Sequence, residues 1–242
     1  MSVQRKFMLT LTGLVLLAML GSIVVISFTK YQEIESSVNT DKDRLNREIT
    51  NILTITDSLL SQQVQSSMKL FRQRIAALGP VSQGETLSFG PQQVPDLLLG
   101  SEGQGNKYQL VDDLTSIMGG TATIFSRTGD DFVRISTNVV TDTGRATGTL
   151  LAPTGAAMAA IRQGNAFYGS VDILGNPFVT GYEPLTTAQG EVVGISYVGY
   201  KADLEALRQL LASSRLLTSG FVALLDRNGA IRAQSSHIKA EE

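Results

Sequence analysis

The sequence predicts an α+β protein: an apolar membrane-spanning helix, a long amphipathic helix and an antiparallel five-stranded sheet. Three observations predict it. Residues 7–28 carry no charge, and residues 30–78 contain neither Gly nor Pro. Of the 23 Gly, 19 fall between Gly79 and Gly199, amid short alternating apolar runs. Composition removes several chemistries before any motif is read. With no Cys, no Trp and one His, His237, there is no thiolate nucleophile, Cys-rich zinc site or multi-histidine metal site. A net charge of −2 and a pI near 5.5 leave no basic footprint for nucleic acid.

The first element is the run FMLTLTGLVLLAMLGSIVVISF, residues 7–28. At about 1.5 Å rise per residue, 22 residues span a hydrocarbon core of roughly 30 Å. Arg5 and Lys6 precede it, so residues 1–6 form a cytoplasmic tip and the following chain is exported. The competing reading is a cleaved signal peptide. Its apolar region is ordinarily about 7–15 residues long and ends at a small-x-small site, and this stretch is longer with no A-x-A. The anchor reading is therefore adopted, placing the chain at the inner membrane with its later residues outside the cytoplasm. Setting aside Arg5 and Lys6 moves the net charge of −2 to −4, so the exported part is mildly acidic.

Residues 30–78 form the second element. Val38, Leu45, Ile52 and Leu59 recur every seven residues, and Leu60, Val64, Met68, Phe71, Ile75 and Leu78 continue at steps of three and four. Such spacing marks one apolar stripe on a helix. The stripe serves either to pack the helix on its own domain or, in the heptad section, to form a parallel homodimer. Asp41, Thr56 and Gln63 near the seam favour a weak or adjustable pairing. Gly79-Pro80 stops the helix. Residues 79–107 are turn-rich and poorly periodic, and read as a loop-rich connection.

Strand signals then become regular. Thr121–Ser126 faces Phe132–Thr137 across a Gly-containing turn. Residues 154–163 form a short helix ending at Gly164. Phe167–Ile173 and Phe178–Pro184 pair across Leu174-Gly175-Asn176-Pro177, and Val192–Tyr200 follows another turn. Two strands, a helical crossover and three meandering strands make a PAS-like order within residues 108–200. Residues 201–242 carry a helix over Ala202–Leu211. They also hold a strand–turn–strand unit at 221–235 that repeats the pattern of 122–136, with Arg232 matching Arg134. This reads as the start of a second PAS-like hairpin, and the chain as the N-terminal piece of a longer protein.

No catalytic constellation is visible. His237 lies beyond the sheet, away from any base–nucleophile pair. Asp112-Asp113 and Asp130-Asp131 read as helix-start and turn residues, and Gly119-Gly120 lacks the Lys-Ser/Thr and helix of a phosphate loop. The residues call for no cofactor and no metal. A binding role suits them better. Arg134 lies mid-strand in FVRIST, either as a surface arginine on the wet face of an edge strand or as a planar fork offered to a carboxylate. Thr137, Tyr168, Asp172, Thr180 and Tyr182 join it as candidate ligand-binding residues, with Tyr and Thr capping a small polar ligand and Asp172 pairing an amine.

The segments YQLVDDLTSIMGG (108–120), TATIFSRTGDDFVRISTNV (121–139), GRATGTLL (144–151), YGSVDILGNPFVTGYEPL (168–185) and GEVVGISYVGY (190–200) carry a resemblance. In this order, behind the anchor and long helix, they are similar to the periplasmic sensor of the Cache 3/Cache 2 fusion family. The resemblance covers about residues 30–200. It implies a small-molecule pocket in the concave face of the sheet and signalling through a dimer. Members occur mostly in bacterial methyl-accepting chemotaxis proteins, and some precede cyclase, phosphatase or kinase outputs. No fixed ligand code is implied, so Arg134 and its companions rest on the residues alone. A small carboxylate or amino acid is the expected ligand. The alternatives are the same sensor feeding a cyclase, phosphatase or histidine-kinase output and, from another class, an exported structural protein that uses the helix only to dimerise.

Overall fold

A computed structural model describes residues 3–173, 176–202, 205–214, 220–225, 229 and 231–236. Gly175 and His237 lie outside these residues, as do Asp203 and Leu204 of the expected helix at 202–211. The chain divides into two compact units, one of residues 54–203 and one of residues 1–53 with 204–242.

Helix α1 runs Val3–Leu78, so the apolar run and the Gly/Pro-free stretch are helical as expected. Within residues 54–203 its last third buries Val64, Met68, Phe71 and Ile75, spaced four, three and four residues apart. This stretch therefore packs on its own domain. Leu53, Ile55 and Leu59, one to three turns earlier, are exposed. Helix α1 stops where Gly79 takes a φ of +123°, a conformation that suits only glycine. A Cβ there would meet the Gly100 Cα at 2.8 Å, so two glycines let the helix end cross a neighbouring turn.

The loop expected over 79–107 is corrected. It is a three-stranded antiparallel sheet of β1 (Val81–Phe89), β2 (Gln92–Leu99) and β3 (Glu102–Gly103). Its glycines and prolines obscure the alternation on β2, where Val94, Leu97 and Leu99 are buried. Pro95, which cannot donate a ladder bond, pairs with Thr86 beside the irregularity between Gln83 and Thr86. Its carbonyl instead accepts the Ser126 hydroxyl at 2.6 Å.

Helix α2 (Gln109–Met118) leads into β4 (Thr121–Thr128) and β5 (Asp131–Thr137), joined by a tight turn with Gly129 at φ +59°. A small ribbon of β6 (Val140–Thr141) and β7 (Gly144–Arg145) precedes α3 (Ala156–Arg162). Strands β8 (Phe167–Ile173), β9 (Asn176–Thr186) and β10 (Val192–Lys201) complete the central sheet. Its order is β5-β4-β10-β9-β8, all antiparallel, which is the expected five-stranded arrangement. Asp112, read as a solvated helix-start residue, instead forms a two-point ion pair with Arg145 at 2.8 and 2.9 Å.

The sheet separates two apolar cores. On one face Ile124, Val133, Ile135, Val179 and Val198 join the buried residues of α1 and β2. On the other, Phe125, Phe132, Tyr182, Ile195 and Tyr197 pack with Met158 and Ile161 of α3. In the second unit, α4 (Glu205–Ser213) precedes the paired strands β11 (Ala223–Leu225) and β12 (Ile231–Gln234), which realise the expected second hairpin.

Candidate functional site

A cavity of about 390 Å³ opens on the α3 side of the sheet. Its walls come from β5, β8, β9, the start of α3 and the irregular segment 146–152. Most of the lining is apolar, with Ala146, Leu150, Leu151, Ala157, Val171 and Ile173 contributing. Arg134, Thr141, Thr149, Asp172 and Tyr182 supply the polar side chains around it. Concave, mainly apolar sites with a few fixed polar groups are the usual form of a small-molecule pocket.

Arg134 is brought here by the regular register of the β4–β5 hairpin, which a bulge interrupts only afterwards. Arg134 pairs with Phe125 while Ser136 pairs with Ile124, so Ile135 is the extra residue. The ordinary two-residue period leaves Val133 and Ile135 in the helix-side core and Arg134 on the cavity side; the bulge that follows keeps Ser136 on the helix side and turns Thr137 to the cavity side. The wet edge-strand alternative is corrected, because residues 148–151 cover the edge. The Arg134 amide donates to the Thr149 carbonyl at 2.9 Å, and its own carbonyl accepts from Gly148 at 2.8 Å. The side chain is only 9% exposed.

The guanidinium lies 5.0 Å over the Phe125 ring and donates from Nη1 to the Thr149 hydroxyl at 2.6 Å. Its Nε is buried without a partner. Among the described residues no carboxylate forms a salt bridge with it. Burial lowers its pKa, opposed by Tyr197 and Tyr182, yet an arginine stays charged in proteins. Among the described residues the cavity therefore holds a buried cation without a counter-ion, an arrangement that ordinarily costs several kcal/mol. Tyr182, 3% exposed, lines the same cavity, and burial raises its pKa so that its hydroxyl stays a neutral donor.

Residues 30–237 match the family model described as the Cache 3/Cache 2 fusion domain. The chain belongs to this family. Among curated proteins nothing matches it. Similar solved structures include the ligand-binding domain of the Campylobacter jejuni chemoreceptor Tlp3 in complex with 4-methylisoleucine. It is 12% identical, covers 86% of this chain and 75% of its own, and has a TM-score of 0.43. The ligand-binding domain of the Pseudomonas aeruginosa amino acid chemoreceptor PctC in complex with GABA is 14% identical. It covers 77% and 73%, with a TM-score of 0.38. The sensor domain of the Vibrio cholerae histidine kinase DctB is 16% identical, covering 85% and 68% at a TM-score of 0.37.

Within the Cache sheet the six expected site residues do not form one cluster. Arg134, Tyr182 and Asp172 border the cavity, whereas Thr137, Thr180 and Tyr168 do not. Thr137 shares the cavity face but is fully buried, and its hydroxyl is occupied by Thr123 at 2.7 Å and by the Val139 amide at 3.0 Å. Thr180 donates to the Gly169 carbonyl at 2.8 Å. Tyr168 lies on the opposite face, where its hydroxyl donates to Glu183 Oε1 at 2.5 Å and Arg72 of α1 stands 3.8 Å from the same oxygen. The regular register of β8 puts Asp172 on the Tyr168 side, with Val171 and Ile173 turned to the cavity, so Asp172 sits at the rim. Thr149, Leu150 and Leu151 were absent from the expected set, because their segment has neither strand nor helix period.

Proposed function

We propose that this Cache chain is the sensory part of a membrane-anchored bacterial chemoreceptor of the methyl-accepting type, with a cytoplasmic N-terminus and a periplasmic sensor. A small organic anion, a carboxylate, enters the cavity on the α3 side and supplies the missing counter-charge to Arg134. Tyr182 adds a second donor. The apolar part of α1 crosses the membrane, and residues 30–78 bring two copies together as a homodimer. The observation that carries this reading is the buried, ion-unpaired Arg134 on the wall of a largely apolar cavity. Family membership supports sensing, and the exposed apolar residues of α1 from Met8 to Phe28 support the anchor. A ligand shifts such a receptor only by its differential affinity for two states.

The test is calorimetric titration of the full chain in detergent with a panel of small carboxylates, including amino acids. Saturable binding by at least one anion, lost in Arg134→Met, is the expected result. A panel without a single binder would count against anion sensing at this cavity.

A further inference from the structure

We infer that the cavity selects a small monocarboxylate with an apolar body and discriminates against the α-amino acid of the same skeleton. This deepens the anion-sensing reading above and rests on it. Two polar side chains of the wall, Arg134 and Tyr182, suit the anionic end. Arg134 Nη2 makes no hydrogen bond among the described residues, nor does the Tyr182 hydroxyl, and both are donors on the lining of one cavity.

For an α-ammonium the described wall offers one carboxylate, Asp172 at the rim, and hydroxyls that are already engaged. The Thr149 hydroxyl is already engaged, donating to the Ala146 carbonyl at 2.7 Å and bonded to Arg134 at 2.6 Å. Thr141 donates to the Gly144 carbonyl at 3.0 Å and lies 3.2 Å from the Thr143 hydroxyl. Asp172, the one carboxylate at the wall, belongs by strand period to the Tyr168 side of β8. A bound ammonium would thus be a second cation beside a guanidinium that already lacks a carboxylate. The remaining wall is methyl and methylene surface from Ala146, Leu150, Leu151, Ala157, Val171 and Ile173. That surface rewards a short branched hydrocarbon, and about 390 Å³ lies at the small end of ligand pockets.

Matched pairs separate the two parts of a ligand. The full chain in detergent is titrated calorimetrically with 3-methylbutanoate against L-valine and with 4-methylpentanoate against L-leucine. The corresponding amine, 3-methylbutan-1-amine, serves as the opposite-charge probe. Each acid is expected to bind at least about tenfold more tightly than its amino acid, as for a charged group left unpaired on burial, with no binding of the amine. An amino acid that binds as tightly as its acid, or a binding amine, overturns the selectivity while leaving anion sensing intact. If other carboxylates bind but neither branched acid does, the apolar-body assignment fails. Absence of binding by every carboxylate overturns the anion reading itself.

Discussion

Replacing Arg134 by Met separates a structural arginine from a ligand-binding one, because the two roles change stability and affinity differently. Methionine keeps an unbranched, flexible side chain of similar reach in the site. The unliganded protein loses the Nη1 bond to Thr149, worth about 1–3 kcal/mol for a charged donor. It also loses the contact over Phe125, about 0.5–2 kcal/mol. Against this, removal of a 9%-exposed cation with no salt-bridge partner relieves a desolvation penalty of several kcal/mol. These terms nearly cancel, so the free protein should stay within about 2 kcal/mol of the wild type. At about 2–4 °C per kcal/mol, the melting midpoint moves by less than about 8 °C. Carboxylate binding loses a buried charge partner, about 2–5 kcal/mol, or roughly 30- to 4,000-fold in Kd. The chain has no Trp, so unfolding is followed by circular dichroism and binding by calorimetry. A variant that melts far below the wild type yet binds carboxylates normally would refute the reasoning.

Three further outcomes are expected. Phe71→Ala empties a fully buried position where α1 meets the sheet and should destabilise by about 3–5 kcal/mol, read by chemical denaturation. Arg72→Ala removes a 62%-exposed partner 3.8 Å from Glu183, so its stability cost should be no more than about 1 kcal/mol and shrink further in high salt. Burial raises the pKa of Tyr197 to about 12 in the folded protein. Its protonated form is thus favoured by folding, so this contribution is full below the ordinary tyrosine pKa near 10 and falls as pH rises toward 12. Alkaline unfolding followed together with phenolate absorbance should show stability declining through that window, and Tyr197→Phe should remove part of the decline.

Much of the fold could be read from periodicity. The α1 residues Val64, Met68, Phe71 and Ile75 are core because their spacing keeps them on one helical face, and the central strands alternate openly. The β1–β2 hairpin could not be read the same way. Gly84, Gly90, Pro91 and Pro95 punctuate it as they would a loop, and only pairing with a neighbouring strand satisfies its backbone. The site divides along similar lines. Arg134 stood out as a charge within an apolar strand. Tyr168 was misplaced although the signal existed: Phe167, Val171 and Ile173 define the inward phase of β8, and Tyr168 and Asp172 belong to the other. Ile135 gives no sequence sign of the bulge that decides which way Ser136 and Thr137 face. Thr149 gives none either, since its position depends on an irregular segment covering an edge.

Strand β9 is a shared wall with two sets of tenants. Thr180 and Tyr182 belong to the α3 side, while Val179, Gly181, Glu183 and Leu185 belong to the α1 side. Residues adjacent in sequence therefore answer to different neighbours, and a mutational scan along β9 is two interleaved experiments. Positions 180 and 182 report on the α3-side core, and of the two only Tyr182 reaches the cavity. Odd-numbered positions from 179 to 185 report on the seat of the helix, and a Cβ at Gly181 would stand 2.9 Å from the Tyr168 ring and 3.0 Å from Val64, so a neighbour must shift to admit it.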